Sequence, residues 1–284
     1  DKAKRLNTAL KDIDPELKDR PLFVTLMATV FAAGESEGLP TRKGALYRES
    51  ILLLLDRWTR AKAEARPLTE LLGDSTRDDL IERLAQMAYE VHEQLGDNPG
   101  TPEIPRELLA RHILEMEWED PSVRATQIVS YLSENAGVLV SPGHAQGDHV
   151  FHFAHRTFQE YLAARHIMAI CDQSFDPLRE LMATRPQLWR VPGRLVADVL
   201  VDDAQFKDKA LWGLVDDLLP DDPPDDIDAD DPRWWLVWLC ARYVDEQDFP
   251  EPRGRGERGI RDNLVDWLVK LTETPFALEP PERA

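Results

Sequence analysis

The sequence predicts a mainly α-helical protein in three parts, residues 1–72, 73–171 and 172–284. Three observations lead there. Apolar residues recur at i, i+3 and i+4 through most of the chain, the spacing that lines one face of a helix. Strand formers gather at Val138–Val140 and at Val150, Phe151 and Phe153, on either side of the polar, Gly-containing stretch SPGHAQGDH, and read as the two arms of one hairpin. Helix punctuation, with Thr caps, Gly stops and Pro breaks, falls between the periodic runs.

In the first part, DKAKRLNTALKDID reads as an amphipathic helix carrying Leu6, Leu10, Ile13 and Leu17. Pro21 suits the first helical position of PLFVTLMA, since it has no N–H to leave unpaired and its φ is already set. The run from Ile51 to Asp56 imitates an apolar strand ending in a magnesium-binding aspartate. It lies, however, inside a longer pattern with Leu46, Tyr47, Ile51, Leu54, Leu55 and Trp58 on one face and Arg48, Glu49, Arg57 and Arg60 on the other, so a helix is expected.

In the second part, Thr76 and Asp79 form a capping box that opens DDLIERLAQMAYEVHEQLG, with Leu80, Leu84, Met87, Ala88 and Val91 as the inner stripe and Gly96 as the stop. After the linker PGTPEIP, Pro105 fits the first turn of RELLARHILEME, whose Leu108, Leu109, His112 and Ile113 point inward. A third helix is expected over Ala125 to Ala136, with Ile128, Val129 and Leu132 inward and Gly137 closing it before the hairpin. Thr157 and Glu160 fit a second capping box, so the next helix is expected from Thr157, with Phe158, Tyr161, Leu162, the Arg165 stem and Met168 on its core face. Three helices, a hairpin and a closing helix follow the order of a winged-helix domain.

In the third part, FDPLRELMA, QLWRVPGRLVADVLV, KDKALWGLVDDLL, PRWWLVWLCARYVDEQ and RDNLVDWLVKLTE each carry an apolar stripe at helical spacing. They read as helical pairs that bury their faces by stacking, a HEAT-like helical array of irregular period. The acidic stretch from Asp216 to Asp231 reads as a solvated loop, and the basic stretch from Pro250 to Gly259 as a flexible one that lies against it or marks a partner contact. Asp226, Asp228 and Asp230 mimic the first three ligands of an EF-hand, yet Asp231 stands where that loop needs glycine and Val237 where it needs glutamate.

Composition narrows the function. With 34 basic and 53 acidic residues the formal net charge is −19. The outer face of the third helix offers Gln127, Ser130, Ser133 and Glu134, with only Arg124 close by, and DNA affinity needs Lys or Arg on phosphates. No DNA partner is expected. No apolar run is long enough for a membrane span and no signal peptide is read, so no membrane partner is expected either. Cys171 and Cys240 sit in apolar helical surroundings, which suits reduced thiols in the cytoplasm. His144, His149, His152 and His155 are dense, but 152 and 155 project to opposite faces of a strand, and a closed zinc site is not expected. There is no G-x-S-x-G elbow, no H-E-x-x-H helix and no Cys with a plausible base, so no catalytic residue is assigned.

One anion site stands out. His155 and Arg156 lie immediately before the first turn of a helix, where backbone N–H groups and the positive end of the helix dipole favour a phosphate.

The stretch FAHRTFQEYLAA, with His155, Phe158, Gln159, Glu160, Tyr161 and two alanines in order, resembles the end of the winged-helix domain of NACHT-type signalling NTPases of the STAND class, relatives of NLR proteins. Residues 19–58 resemble the helical domain that follows the nucleotide-binding core of that family. The resemblance implies that His155 touches the β-phosphate of ADP in a closed state, and that Pro21 packs on the adenine ring. It implies ADP or ATP with Mg held mainly by a nucleotide-binding domain of the same parent protein, homo-oligomerisation on activation, and an unknown protein trigger. For the helical third part it implies a sensor of a ligand or partner, or a brace of the closed state. Defence against phage is what related bacterial proteins do. The chain contains no G-x-x-x-x-G-K-[ST] loop, so it is expected to be the C-terminal part of a longer NTPase and not to hydrolyse ATP alone. The alternative is a helical interaction scaffold that never meets a nucleotide.

Overall fold

The computed structural model describes residues 21–33, 39–40, 42–61, 67–96, 102–116, 121–141, 150–203, 207–245 and 249–274. The helix expected at residues 1–17 and the loop histidines His144 and His149 lie outside them. The chain divides into two compact units, Asp1–His166 and Ile167–Ala284.

In the first unit α1 (Pro21–Ala33) packs against α2 (Lys43–Ala61). The Ile51–Asp56 run is helical, with Leu46, Tyr47, Ile51 and Leu55 buried. A short α3 (Leu68–Leu72) leads to α4 (Arg77–Glu93). The capping box at the head of α4 is formed: Thr76 N–H donates to Asp79 Oδ2 at 2.6 Å, and Asp79 N–H donates to Thr76 Oγ1 at 3.1 Å. The Thr76 N–H, and the Thr76 hydroxyl at 2.8 Å, donate to the carboxylate, favour its ionised form and hold the Asp79 carboxyl below the usual carboxylate value. After α4 the chain turns at Gly96, whose φ of 53° is left-handed, as a glycine stop requires.

Ile104–Pro105 is a strand, β1, where the sequence indicated only linker and first turn. Pro105 caps α5 (Arg106–Leu114) from outside the helix, and having no N–H it sits at a sheet edge without losing a ladder bond. The third helix, α6, is already formed at Pro121, ahead of the expected Ala125; it runs Pro121–Ser130 and ends in a π-turn, Tyr131–Asn135. There Ala136 N–H reaches the Tyr131 carbonyl at 2.8 Å, and the Tyr131 hydroxyl donates to the Leu55 carbonyl of α2. Gly137 follows at φ 68°. The hairpin strands β2 (Leu139–Val140) and β3 (Val150–Phe153) pair antiparallel, Leu139 opposite Phe153. On its other edge β3 pairs with β1, Ile104 opposite Phe151, giving a three-stranded sheet of order β1-β3-β2. Phe151 and Phe153 point inward from β3, and α7 (Arg156–Ile170) begins after the next two residues.

The second unit is a helical array: α8 (Asp176–Thr184), α9 (Pro186–Asp203), α10 (Lys207–Leu218), α11 (Arg233–Asp245) and α12 (Arg255–Glu273). Its core gathers around α11, which packs against α8, α9, α10 and α12. Gly193 lets α9 approach closely: a Cβ there would stand 3.3 Å from Met182 Sδ and 3.8 Å from Leu239 Cδ1. Trp189, Trp234 and Trp267 are fully buried, the last two edge to face with centroids 5.4 Å apart.

Two expectations need correction here. The acidic stretch begins inside α10, which runs to Leu218, and past it Asp222 and Asp226 are exposed while the backbone is clamped: Trp267 Nε1–H donates to the Asp221 carbonyl at 2.8 Å, Trp234 Nε1–H to the Asp228 carbonyl at 2.9 Å, and Asn263 Nδ2–H to the Pro220 carbonyl at 3.1 Å. The basic stretch is not a loop beyond Gly254. Arg255 begins α12, because Glu257 accepts from the N–H groups of Arg253 and Gly254 and so caps the helix six residues before the expected Arg261. Its Arg253 pairs with Asp208 of α10 rather than with the acidic loop.

Candidate functional site: the head of α7

Strand β3 delivers the chain to α7 through Ala154, whose N–H bonds the Val138 carbonyl at 2.9 Å and so continues the sheet one residue past its last ladder pair. His155 follows, exposed, and Phe158 N–H closes the first turn on its carbonyl at 3.1 Å. The helix therefore starts at Arg156, one residue before the expected start. The expected Thr157–Glu160 capping box is replaced by another arrangement. Thr157 N–H donates to His155 Nδ1 at 3.3 Å, and the Thr157 hydroxyl lies 2.9 Å from the same nitrogen. The imidazole Nδ1 is as far from its backbone as an Asp or Asn oxygen, so it caps the helix in the same way. An Nδ1 that accepts carries no proton, which leaves Nε2–H as the second polar group of the ring, without a hydrogen bond among the described residues.

Glu160 is almost buried and accepts from Arg156 Nε at 3.0 Å, an i,i+4 ion pair on α7. This is why Glu160 does not reach back to the Thr157 backbone. The Arg156 side chain keeps 41% of its exposure, so its charge stays at the helix head while its geometry is set by Glu160. His155, Arg156 and Thr157 thus form one cluster. Pro21 stands on a different element: it heads α1, is exposed, and its carbonyl accepts from Thr25 Oγ1 at 2.9 Å.

Helix α1 is apolar on nearly every side, yet Val24, Thr25, Ala28 and Ala32 are exposed. Thr25 and Thr29 return their hydroxyls to the carbonyls four residues back, at 2.9 and 2.8 Å. Along α1 and α2 runs an open cavity of about 810 Å³, lined by Val24, Ala28, Val30, Leu53, Leu54 and Asp56 among others. Asp56 is ion-paired with Arg77 at the head of α4.

Beneath α7 lies a layer of polar groups whose connections the sequence did not reveal. Gln159, fully buried, meets His92 of α4. Glu90 accepts from Arg111 Nη2 at 2.7 Å and stands 3.3 Å from Nε2 of the buried His112. His166 packs on Tyr89, ring centroids 5.0 Å apart. Burial pushes the His166 pKa down, the Glu90 carboxylate opposing this and His112 adding to it. His152 binds the Pro102 carbonyl through Nδ1 at 3.0 Å and so braces the sheet, and among the described residues no group of three or more His, Cys, Asp or Glu could hold a metal ion. Arg124, on the candidate recognition helix, turns inward to the Leu71 carbonyl at 3.3 Å.

Residues 43–167 match the family model described as the winged helix-turn-helix domain C-terminal to NACHT. This region is the winged-helix domain of a NACHT-type protein. No curated protein and no solved structure matches the chain. The NACHT-associated domain runs from the head of α2 into α7, so it contains the three-stranded sheet, the His155 cluster and the polar layer under it, while Pro21 precedes it. Among the described residues no helix is long and apolar enough to cross a membrane.

Proposed function

We propose that this chain is the regulatory part of a NACHT signalling ATPase and that His155 reads the β-phosphate of ADP in the closed state. The observation that carries the reading is the His155 cap: Thr157 occupies Nδ1, and an Nε2–H donor is left at an exposed helix N-terminus that already favours an anion. Arg156, fixed by Glu160, adds positive charge beside it. The NACHT domain of the same protein would hold the nucleotide and its Mg, with Pro21 against the adenine ring and the exposed apolar groove of α1 and α2 turned to that domain. Release of the histidine bond on exchange for ATP would free the winged helix to rotate, expose surfaces for homo-oligomerisation and pass on a signal from a protein trigger, in a cytoplasmic antiphage role. The helical unit after it would sense that trigger or brace the closed state.

A ligand shifts such a balance only by its differential affinity for the two states. One charge-assisted hydrogen bond, about 1.5–3 kcal/mol, corresponds to roughly a ten- to hundred-fold shift. The test is ADP calorimetry on the full-length protein beside His155→Ala. Weaker binding in the variant supports the switch; equal binding, or none in either, moves the assignment to a helical interaction scaffold.

A further inference from the structure

Gln159 is fully buried one turn past His155, yet it does not face the anion site. Its Nε2 lies 2.8 Å from Nδ1 of His92 and 3.4 Å from the Ala88 carbonyl, both on α4. A carbonyl only accepts, so the amide nitrogen must be the atom that faces it. With two N–H groups it donates to both, and His92 accepts through an unprotonated Nδ1. His92 is itself fully buried, and Gln159 Oε1 has no hydrogen-bond partner among the described residues. An apolar side chain would fill the same space without that desolvation cost, so packing alone does not account for the pair. What the pair does is fix the rotation and height of α7 on α4. From the other side Tyr47 of α2 packs edge-on against Phe158, with centroids 6.2 Å apart, and against Tyr161 at 5.6 Å. His155 caps a helical turn that is held by these two contacts.

We propose that Gln159, through its hydrogen bond to His92, is a positioning residue for His155: it sets where the His155 Nε2–H stands and thereby the affinity for a nucleotide phosphate. The affinity part rests on the reading of His155 as a phosphate donor; the positioning part does not. The pair acts through a neutral His92, since a proton on Nδ1 would face the amide N–H groups.

Two measurements on the full-length protein test this and separate its failure from that of the underlying reading. The first needs no nucleotide: the imidazole nitrogen resonances of His155. The wild type should show the Nε2–H form, and Gln159→Leu should shift or broaden it. Unchanged His155 resonances would overturn the proposal whatever ADP does. Changed resonances, together with ADP binding indifferent to His155→Ala, would keep the positioning and remove the nucleotide reading. The second is ADP affinity. Gln159→Leu should lose about tenfold, roughly 1.4 kcal/mol, and the double variant with His155→Ala should bind no more weakly than His155→Ala alone. Additive losses would overturn the coupling.

Gln159→Glu gives a version in which the fold is tested together with the chemistry. A carboxylate only accepts, so the contact survives only where His92 carries a proton on Nδ1 and donates it to the new carboxylate. Gln159→Glu should therefore recover part of the affinity that Gln159→Leu loses, and adding His92→Leu should abolish the recovery. The other titratable groups of this layer, Glu90 with Arg111 and His112, and His166 beside Tyr89, are common to all variants and cancel in the comparison. No recovery in Gln159→Glu would overturn the assignment of His92 as partner.

Discussion

Thr157 N–H donates to His155 Nδ1 at 3.3 Å, so the residue read as a ligand contact is also the cap of its own helix. The two roles use different nitrogens and can be separated. Asparagine places a carbonyl oxygen where Nδ1 stands and is among the best capping residues, but it has nothing at the position of Nε2.

The expected outcome is that His155→Asn melts within about 0.5 kcal/mol of wild type, whereas His155→Ala loses about 1 kcal/mol of cap stability. Both should lose ADP affinity alike. Equal destabilisation by Asn and Ala in urea titrations would show that the imidazole caps nothing, and retained affinity in His155→Asn would remove Nε2 from the site.

How much of this was legible beforehand depends on the range of the interaction. The Thr76–Asp79 box, the stops at Gly96 and Gly137 and both hairpin arms are local, and each was readable from residues a few positions apart. Strand β1 was not, because two residues carry no periodicity and only pairing with β3 makes Ile104–Pro105 a strand. The second capping box does not form for a local reason: Arg156 stands four residues before Glu160, and an i,i+4 arginine competes with the Thr157 backbone for the same carboxylate. The Gln159–His92 pair joins positions 67 residues apart, beyond the reach of any spacing rule. In the acidic loop the carboxylates concealed the carbonyls. Tryptophan was counted as apolar, while its indole N–H is what orders that segment.

Acid should weaken the layer beneath α7. Burial holds the His166 pKa below its ordinary 6.5, so in the window below 6.5 the unfolded chain binds more protons there than the folded one. The stability contributed by neutral His166 is present above that value and falls as pH drops through the window towards the lowered folded value. Urea midpoints should therefore decline from pH 7.5 to pH 5.5, and His166→Phe, which keeps a ring against Tyr89, should flatten that slope. An unchanged slope in His166→Phe would place the acid sensitivity elsewhere in the molecule.

The clamp on the acidic loop makes the last prediction. Trp267 fills the core with its ring and donates Nε1–H to the Asp221 and Pro220 carbonyls at 2.8 and 3.3 Å, while Arg233, paired with Asp231, lies over the same ring at 5.6 Å. Trp267→Phe keeps an aromatic partner for Trp234 but removes the donor, leaving the loop carbonyls without it. A loss of about 1–3 kcal/mol is expected, together with faster proteolytic cleavage between Asp221 and Asp231. Neutralising the exposed Asp222 and Asp226 to Asn, by contrast, should change stability by no more than about 0.5 kcal/mol. If the aspartate changes matter more than the tryptophan, the segment is held by its charges, and the indole bonds are incidental to its order.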